Sequence, residues 1–409
     1  MCHRSLCVAL CFLAALLQHA KCLTDEQLRD KLADMERQII DIKNALRGST
    51  SKPLPSTTSA TTVTSAIPPA SREPPDPFWN KDDAKGERVF LYTFMDKVND
   101  YGCASIRSAI LSKTNVTIFG LSDTLHQANG DRYHGFRDKG NKIKKVFILH
   151  KYLELMVGEI RKDDIVIFND GLDVLYTQTA SEVSRAFRSV EKPDTALFAA
   201  ERTCFPNYCK EPETSSSFKY VNSGDWIARF DVALRLLRAW TEVMKFEGPE
   251  AEDQTAVHEM ILGQGRNPSK KSSFKMSDVL AALKERHPGF EPAEISLDHS
   301  CAVFQTGFKT KLSDGTWQTQ EKPGDTKGPY LRPEDGVIFN TETNSAALFV
   351  HFNGERFWFK PVEQLVKDKY TKPDPLHAQA CRRYVELYPD LKQCAKLMEL
   401  AATDYCDLS

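Results

Sequence analysis

The sequence lacks the glycine signatures with which two large nucleotide-binding classes hold phosphate. No GxGxxG follows the first apolar run of the body, and no GxxxxGK(S/T) occurs anywhere. A dinucleotide-binding fold or a P-loop NTPase would therefore be without its phosphate cradle. There are eleven cysteines but no CxxC pair and no Cys/His spacing of the structural-zinc kind, which argues against such a site. An excess of charge of one sign is missing too. Lys+Arg is 54 against Asp+Glu 56, a net charge of −2, so bulk electrostatics does not carry the chain onto nucleic acid. No internal repeat is visible. With 41% hydrophobic and 27% charged residues, the composition is globular rather than disordered or multi-spanning. Its 409 residues allow one large domain with appendages, or two ordinary domains.

The appendages stand at the start. Residues 1–22 read as a secretory signal: His3 and Arg4, an apolar run over residues 6–17, then Ala20-Lys21-Cys22 at the cleavage offsets. The run is too short to span a bilayer comfortably. An uncleaved signal anchor of a type II membrane protein is the competing reading. Both put the body in an oxidising lumen of the secretory pathway (endoplasmic reticulum or Golgi, or secreted), where disulfides form. The sequon Asn115-Val116-Thr117 suits that address. Across residues 24–47, Leu28, Leu32, Met35, Ile39, Ile42 and Leu46 repeat at coiled-coil spacing, between a Thr24/Gln27 capping box and Gly48. A homo-oligomer through this helix is expected, against the alternative of a helix docked on the body. Residues 49–77 are rich in Ser, Thr and Pro with few apolar side chains, and read as a disordered stem.

From about residue 85, strands and helices alternate. Residues 89–93, 116–119, 165–168, 196–200 and 347–351 read as apolar strands; residues 103–111, 144–157, 182–187 and 231–246 read as helices. This predicts an α/β body with a mixed, mostly parallel sheet flanked by helices over residues 85–360, followed by a helical, cysteine-containing extension at 361–409. Ligands of such sheets bind beyond the strands' carboxyl ends, which is where the chemistry is to be sought.

The run Phe168-Asn169-Asp170-Gly171-Leu172-Asp173 places two carboxylates directly after the most apolar strand. Hard oxygen donors at a sheet edge suit Mg2+ or Mn2+ carrying a diphosphate. A polar turn that caps a helix is the plainer reading of the same residues. Other strand ends deliver Glu201 before Cys204-Phe205-Pro206, then Asn222-Ser223-Gly224 as a strand-to-turn element whose small residues let backbone approach a ligand. Glu252-Asp253-Gln254 opens a helix, Leu297-Asp298-His299 and Phe304-Gln305 follow, and His351-Phe352-Asn353-Gly354 ends the last strand.

Taken in this order, the motifs resemble the glycosyltransferase domain of the procollagen lysyl hydroxylases, from about Arg88 to about Asn353. The resemblance implies a GT-A fold, a UDP-sugar donor (UDP-glucose or UDP-galactose) and Mn2+ or Mg2+. It implies Asp170, Asp173 and His351 as metal ligands and Thr93 as a uridine contact. Lys145, with Lys142 as its rival, becomes the diphosphate contact. Glu201, Asn222, Glu252 and Asp253 come to line the sugar and acceptor side, the last two as candidate bases if the reaction inverts. The acceptor would be a hydroxyl of a protein or glycan, such as (galactosyl)hydroxylysine in a collagen-like chain. Three positions depart from the family pattern: Leu172 stands where a Tyr stacks on uracil, Phe205 where a Trp follows the first motif cysteine, and the acidic run is reduced to Glu252-Asp253. Too few residues follow His351 for a hydroxylase half, so neither iron nor 2-oxoglutarate is expected. Two rival functions remain open, a catalytically silent carbohydrate- or nucleotide-binding module and a metal-dependent hydrolase.

Among the remaining residues, His150, His258 and His287 read as surface or capping groups, and His299 as a buttress of the site. Cys204 and Cys209 are spaced to pair across a loop.

Overall fold

In the computed structural model, the described residues are 81–82, 86–121, 141–205, 214–248, 251–267, 272–306, short segments between 309 and 346, 348–352, 359–370, 375–391 and 393–394. All of these residues belong to one compact unit within residues 72–409. The expected signal (1–22), coiled-coil helix (24–47) and stem (49–77) lie outside the described residues, as does Cys209.

The central sheet has seven strands: a two-residue edge piece, Lys81–Asp82, antiparallel to the start of β1, and the six main strands β1 (Glu87–Phe94), β2 (Val116–Phe119), β3 (Ile165–Asp170), β5 (Thr195–Glu201), β6 (Tyr220–Arg229) and β7 (Glu294–Asp298), with β4 (Val174–Tyr176) set apart from it. The order of the main strands is β2-β1-β3-β6-β5-β7. The β1–β2, β1–β3 and β5–β7 pairs are parallel, and β6 runs antiparallel to β3 and β5. This is the mixed, mostly parallel sheet of a GT-A type domain. Strand β3 is apolar throughout its first four residues because both of its faces are covered. Val166 and Phe168 join one core cluster, with Leu149 and Leu153 of α2 (Asn141–Leu155) and Leu236 and Trp240 of α4 (Phe230–Glu247). Ile165 and Ile167 point the other way, towards Ile106 and Ile110 of α1 (Asp100–Leu111) and Val183 and Phe187 of α3 (Ala180–Val190). The period of two along the strand thus sorts alternate side chains into two cores. Among the described residues, no helix is long and apolar enough to cross a membrane.

Residues 220–224 do not end in a turn, as their sequence suggests. They open β6, which runs on to Arg229. Because β6 is antiparallel, its polar beginning lies at the same edge as the carboxyl ends of its neighbours. Its pairing with β5 jumps from Phe198↔Trp226 to Ala199↔Asn222, so Ser223, Gly224 and Asp225 form a bulge. A bulge absorbs unpaired residues and re-aims their side chains, and here it does so at the edge where the site stands.

A second sheet orders β8 (Phe304–Gln305), β9 (Phe349–His351) and β4. β9 is antiparallel to β4, with His351 opposite Val174. Two helices follow, α7 (Phe359–Lys369) and α8 (Pro375–Leu387). They pack on the body. Cys103 on α1 forms a disulfide with Cys394. The hydroxyls of Tyr384 and Tyr388 accept hydrogen bonds from the backbone N–H groups of Val116 and Ile118. These amides belong to the outer edge of β2, so two tyrosines satisfy donors that an open edge strand would leave bare. Cys204 and Cys381 are each in a disulfide as well, and Cys301 is a free, buried thiol.

Candidate metal and donor site

The candidate site begins where β3 ends. Asp170 is its last residue, and Asp173 precedes β4 by one position. The turn between them is tight: Gly171 N–H donates to the Phe94 carbonyl at 3.0 Å. A Cβ on Gly171 would lie 2.5 Å from that same oxygen, so only glycine fits. Strand β4 then pairs with β9 and brings His351 back to the turn, and Phe352 N–H fastens the junction on the Asp173 carbonyl at 2.8 Å. Two stretches distant in sequence, the 170–173 turn and β9, so place one donor atom each of Asp170, Asp173 and His351 within 4.8 Å of one another. Among the described residues this is the one such group of His, Cys and acidic side chains. The two acids are partly open to solvent, at 32% and 20% side-chain exposure, whereas His351 is at 4% and approaches from beneath.

His351 is held on both sides. Its Nε2 lies 3.4 Å from Asp173 Oδ1, and its Nδ1 lies 2.7 Å from Oδ2 of the fully buried Asp225. The other oxygen of Asp225 accepts from Asn169 Nδ2 at 2.7 Å. Burial by itself would push the imidazole's pKa down, but the Asp225 and Asp173 carboxylates reverse this and hold it well above the ordinary histidine value. Asp170 is pushed above the ordinary carboxylate range by burial, against the pull of Lys145 and His351. Gly224 in the β6 bulge makes room for the cluster. A Cβ there would meet His351 Cε1 at 2.5 Å and Asp170 Oδ2 at 2.8 Å.

Lys145 reaches this edge from α2. Its buried ammonium lies 2.6 Å from Asp170 Oδ1 and 2.8 Å from Asp253 Oδ2. Burial disfavours its charge, but the two carboxylates more than compensate and raise its pKa. From Asp253 a buried polar chain continues. Ser223 Oγ donates to Asp253 Oδ2 at 2.9 Å, Gln254 Nε2 donates to Glu201 Oε1 at 2.6 Å, and Asn222 Nδ2 donates to Glu201 Oε2 at 3.4 Å. The Gln254 amide also donates to the carbonyl of Phe205, whose ring is 43% exposed at the rim. Such connected networks fix side chains in a low-dielectric setting, and each member is costly to remove.

Residues 87–254 match the family model described as the PLOD GT domain. This body is a glycosyltransferase-type domain related to the lysyl hydroxylase GT region. The chain is 24% identical over 229 residues to Procollagen-lysine,2-oxoglutarate 5-dioxygenase 1 of Rattus norvegicus, which covers 55% of this chain and 26% of the relative. The Homo sapiens protein of the same name is likewise 24% identical over 229 residues. The chain thus spans about a quarter of the length of the curated relatives it matches. His351 lies beyond the matched segment, and it is the fold that returns it to Asp170 and Asp173.

Within this glycosyltransferase-type domain the residues singled out by sequence are distributed as follows. Asp170, Asp173, His351 and Lys145 meet at one point. Glu201, Asn222 and Asp253 join the buried polar chain beside it, and Asp253 is engaged by Lys145 and Ser223. Glu252 sits half-buried at the N-cap of α5 (Asp253–Leu262), its carboxylate accepting from Thr255 Oγ1 at 3.4 Å. Thr93 is wholly buried, and its hydroxyl donates to the Asn169 carbonyl at 2.9 Å, so it braces the start of the 170–173 turn. Leu172 packs towards Gly102 of α1 and joins the core. His258 is buried rather than at the surface, with its pKa lowered to about 4 by burial. The ring Nδ1 of His299 lies 2.6 Å from the Phe218 carbonyl. Asp298 accepts from the N–H groups of Ala302, Val303 and Phe304, which closes a turn. Asp225 and Asn169 escaped the sequence reading as site residues; a carboxylate directly before the apolar run Trp226-Ile227-Ala228 was the available signal.

Proposed function

We propose that the chain is a metal-dependent glycosyltransferase that moves a hexose, glucose or galactose, from a UDP-sugar to a hydroxyl acceptor. The observation that carries this reading is the convergence of Asp170, Asp173 and His351 at the carboxyl edge of a glycosyltransferase-type sheet. The donor set fits Mn2+ or Mg2+. Two carboxylates supply hard oxygens, one imidazole supplies nitrogen, and the glycine at 224 leaves the space that a side chain would fill. When bound, such an ion supplies charge for a nucleoside diphosphate leaving group. The chain's own residues do the rest. Lys145 adds a second positive charge beside Asp170, and the Glu201–Gln254–Asn222 group offers hydrogen-bonding atoms next to it. Asp253, bound by Lys145 and Ser223, serves better as an orienting group than as an open base.

The acceptor we propose is a hydroxyl on a protein or glycan, with (galactosyl)hydroxylysine of a collagen-like chain as the first to try. The proposed setting is the lumen of the secretory pathway, with residues 24–47 joining copies of the chain. A silent binding module is the second reading. Leu172 favours it, because this aliphatic side chain packs into the core where a ring would be needed to stack on a base. A donor screen for UDP release with added Mn2+ separates the two. Turnover is expected in the wild type, with Asp173→Ala and His351→Ala each lowering it by several kcal/mol of barrier, about 10²–10³-fold. Donor binding without turnover would favour the module, and variants as active as wild type would refute the metal assignment.

A further inference from the structure

We propose that Asp225 is a positioning residue for the metal site: it holds the His351 ring by Nδ1 and thereby turns Nε2 towards the ion. The inference rests on the metal-dependent reading above and deepens it. Asp225 is fully buried at the carboxyl edge of the sheet, where a carboxylate is costly unless its charge is used. Both of its oxygens are engaged. Oδ2 lies 2.7 Å from His351 Nδ1, and Oδ1 accepts from Asn169 Nδ2 at 2.7 Å. The opposite ring nitrogen, Nε2, is the one that faces Asp173. An imidazole can ligate through only one nitrogen while the other donates. A carboxylate on Nδ1 therefore fixes both the tautomer and the ring plane of the metal-bound form.

The backbone is arranged for this contact. Asp225 pairs with Asn169 across β3 and β6, and it belongs to the bulge that displaces Ser223 and Gly224 towards the site. Asn169 immediately precedes Asp170. The sequence Asn169–Asp225–His351 thus ties β3, β6 and β9 together under the metal position, and setting the imidazole sets its distance from both acids.

Titration calorimetry of Mn2+ into the full chain tests the idea. Asp225→Ala should weaken Mn2+ binding about 10- to 100-fold. Asp225→Asn should fall between Ala and wild type, since its amide oxygen still accepts from Nδ1–H. The double variant Asp225→Ala/His351→Ala should bind no more weakly than His351→Ala alone, because Asp225 acts through that ring. The Mn2+ concentration for half-maximal UDP release should rise in the same order, with turnover restored at saturating metal. Wild-type Mn2+ affinity in Asp225→Ala, beside lost binding in Asp173→Ala, overturns this inference and leaves the site standing. Additive losses in the double variant also overturn it. Wild-type affinity in Asp173→Ala removes the site and this inference together.

Discussion

A methyl group at position 224 is the smallest change that reaches the proposed metal site without replacing a ligand. Gly224 lies in the bulge of β6, and a Cβ there would sit 2.5 Å from His351 Cε1, 2.8 Å from Asp170 Oδ2 and 3.0 Å from Asn222 Oδ1. Ordinary contact begins at 3.4 Å, so the ring would have to retreat by about 0.9 Å and the carboxylate by about 0.6 Å. Neither can do so cheaply. His351 is bound to Asp225 behind it, and Asp170 is bound to Lys145. Overpacking of this kind costs about 1–3 kcal/mol of stability. Its effect on metal binding is larger in kind, because ligand distances must hold to about 0.2 Å. A misplacement near 1 Å costs about 10²-fold in rate. Gly224→Ala should therefore fold, lose a few degrees in thermal midpoint, and lose about 10²-fold in Mn2+-dependent UDP release. Gly158→Ala is the control. Its φ is +99° with no atom within 4 Å of the added carbon, so it strains the backbone by about 1–2 kcal/mol and spares the site. Equal Mn2+ affinity and turnover in Gly224→Ala and wild type would refute the geometry.

Two further outcomes are expected. In EDTA the thermal midpoint should fall as pH rises above 6.5. His351 binds a proton in the folded state that it has released in the unfolded one, so its contribution is complete below the unfolded value of 6.5 and is lost as pH climbs through the raised folded value. Below 6.5 the sign reverses. His150 and His258, both lowered to about 4 by burial, resist protonation only when folded, so stability falls between pH 6.5 and 4. Saturating Mn2+ should abolish the alkaline decline by displacing the proton, and His351→Ala should lack it; an unchanged alkaline slope in that variant would count against the assignment. Separately, Tyr384→Phe and Tyr388→Phe each leave one edge amide of β2 without its acceptor, at about 1–3 kcal/mol. Chemical denaturation reads this loss, and wild-type stability in the double variant would show that water serves those amides equally well.

The proposed metal ligands and Glu201 were legible in the sequence because they follow apolar runs of four or five residues. The run Ile165–Phe168 has no polar residue, so the two acids behind it stood out against a buried background. The same holds for Glu201 after the apolar run of β5 and for His351 at the end of β9. What stayed hidden was the means by which these ends meet. Strand β4 has three residues and β8 two, too short for any periodic signal, yet β4 is the template that returns His351 to Asp173. The Cys103–Cys394 bridge spans 291 positions, and no spacing rule reaches that far.

Asp225 was hidden for a different reason. Small and polar residues at 222–225 have the composition of a turn, and local propensity assigns them to one. The sheet overrides that preference because Trp226, Ile227 and Ala228 must be buried between β3 and β5. Once those side chains are fixed in register, the polar residues before them have nowhere to go but the carboxyl edge, and the surplus is taken up as a bulge. The turn-like composition is thus the cost of running a strand backwards into the site. It also supplies what the site requires there, a bare glycine against the ligands and a buried carboxylate beneath the imidazole. The same four residues that misled the secondary-structure reading are the ones that shape the floor of the candidate metal position.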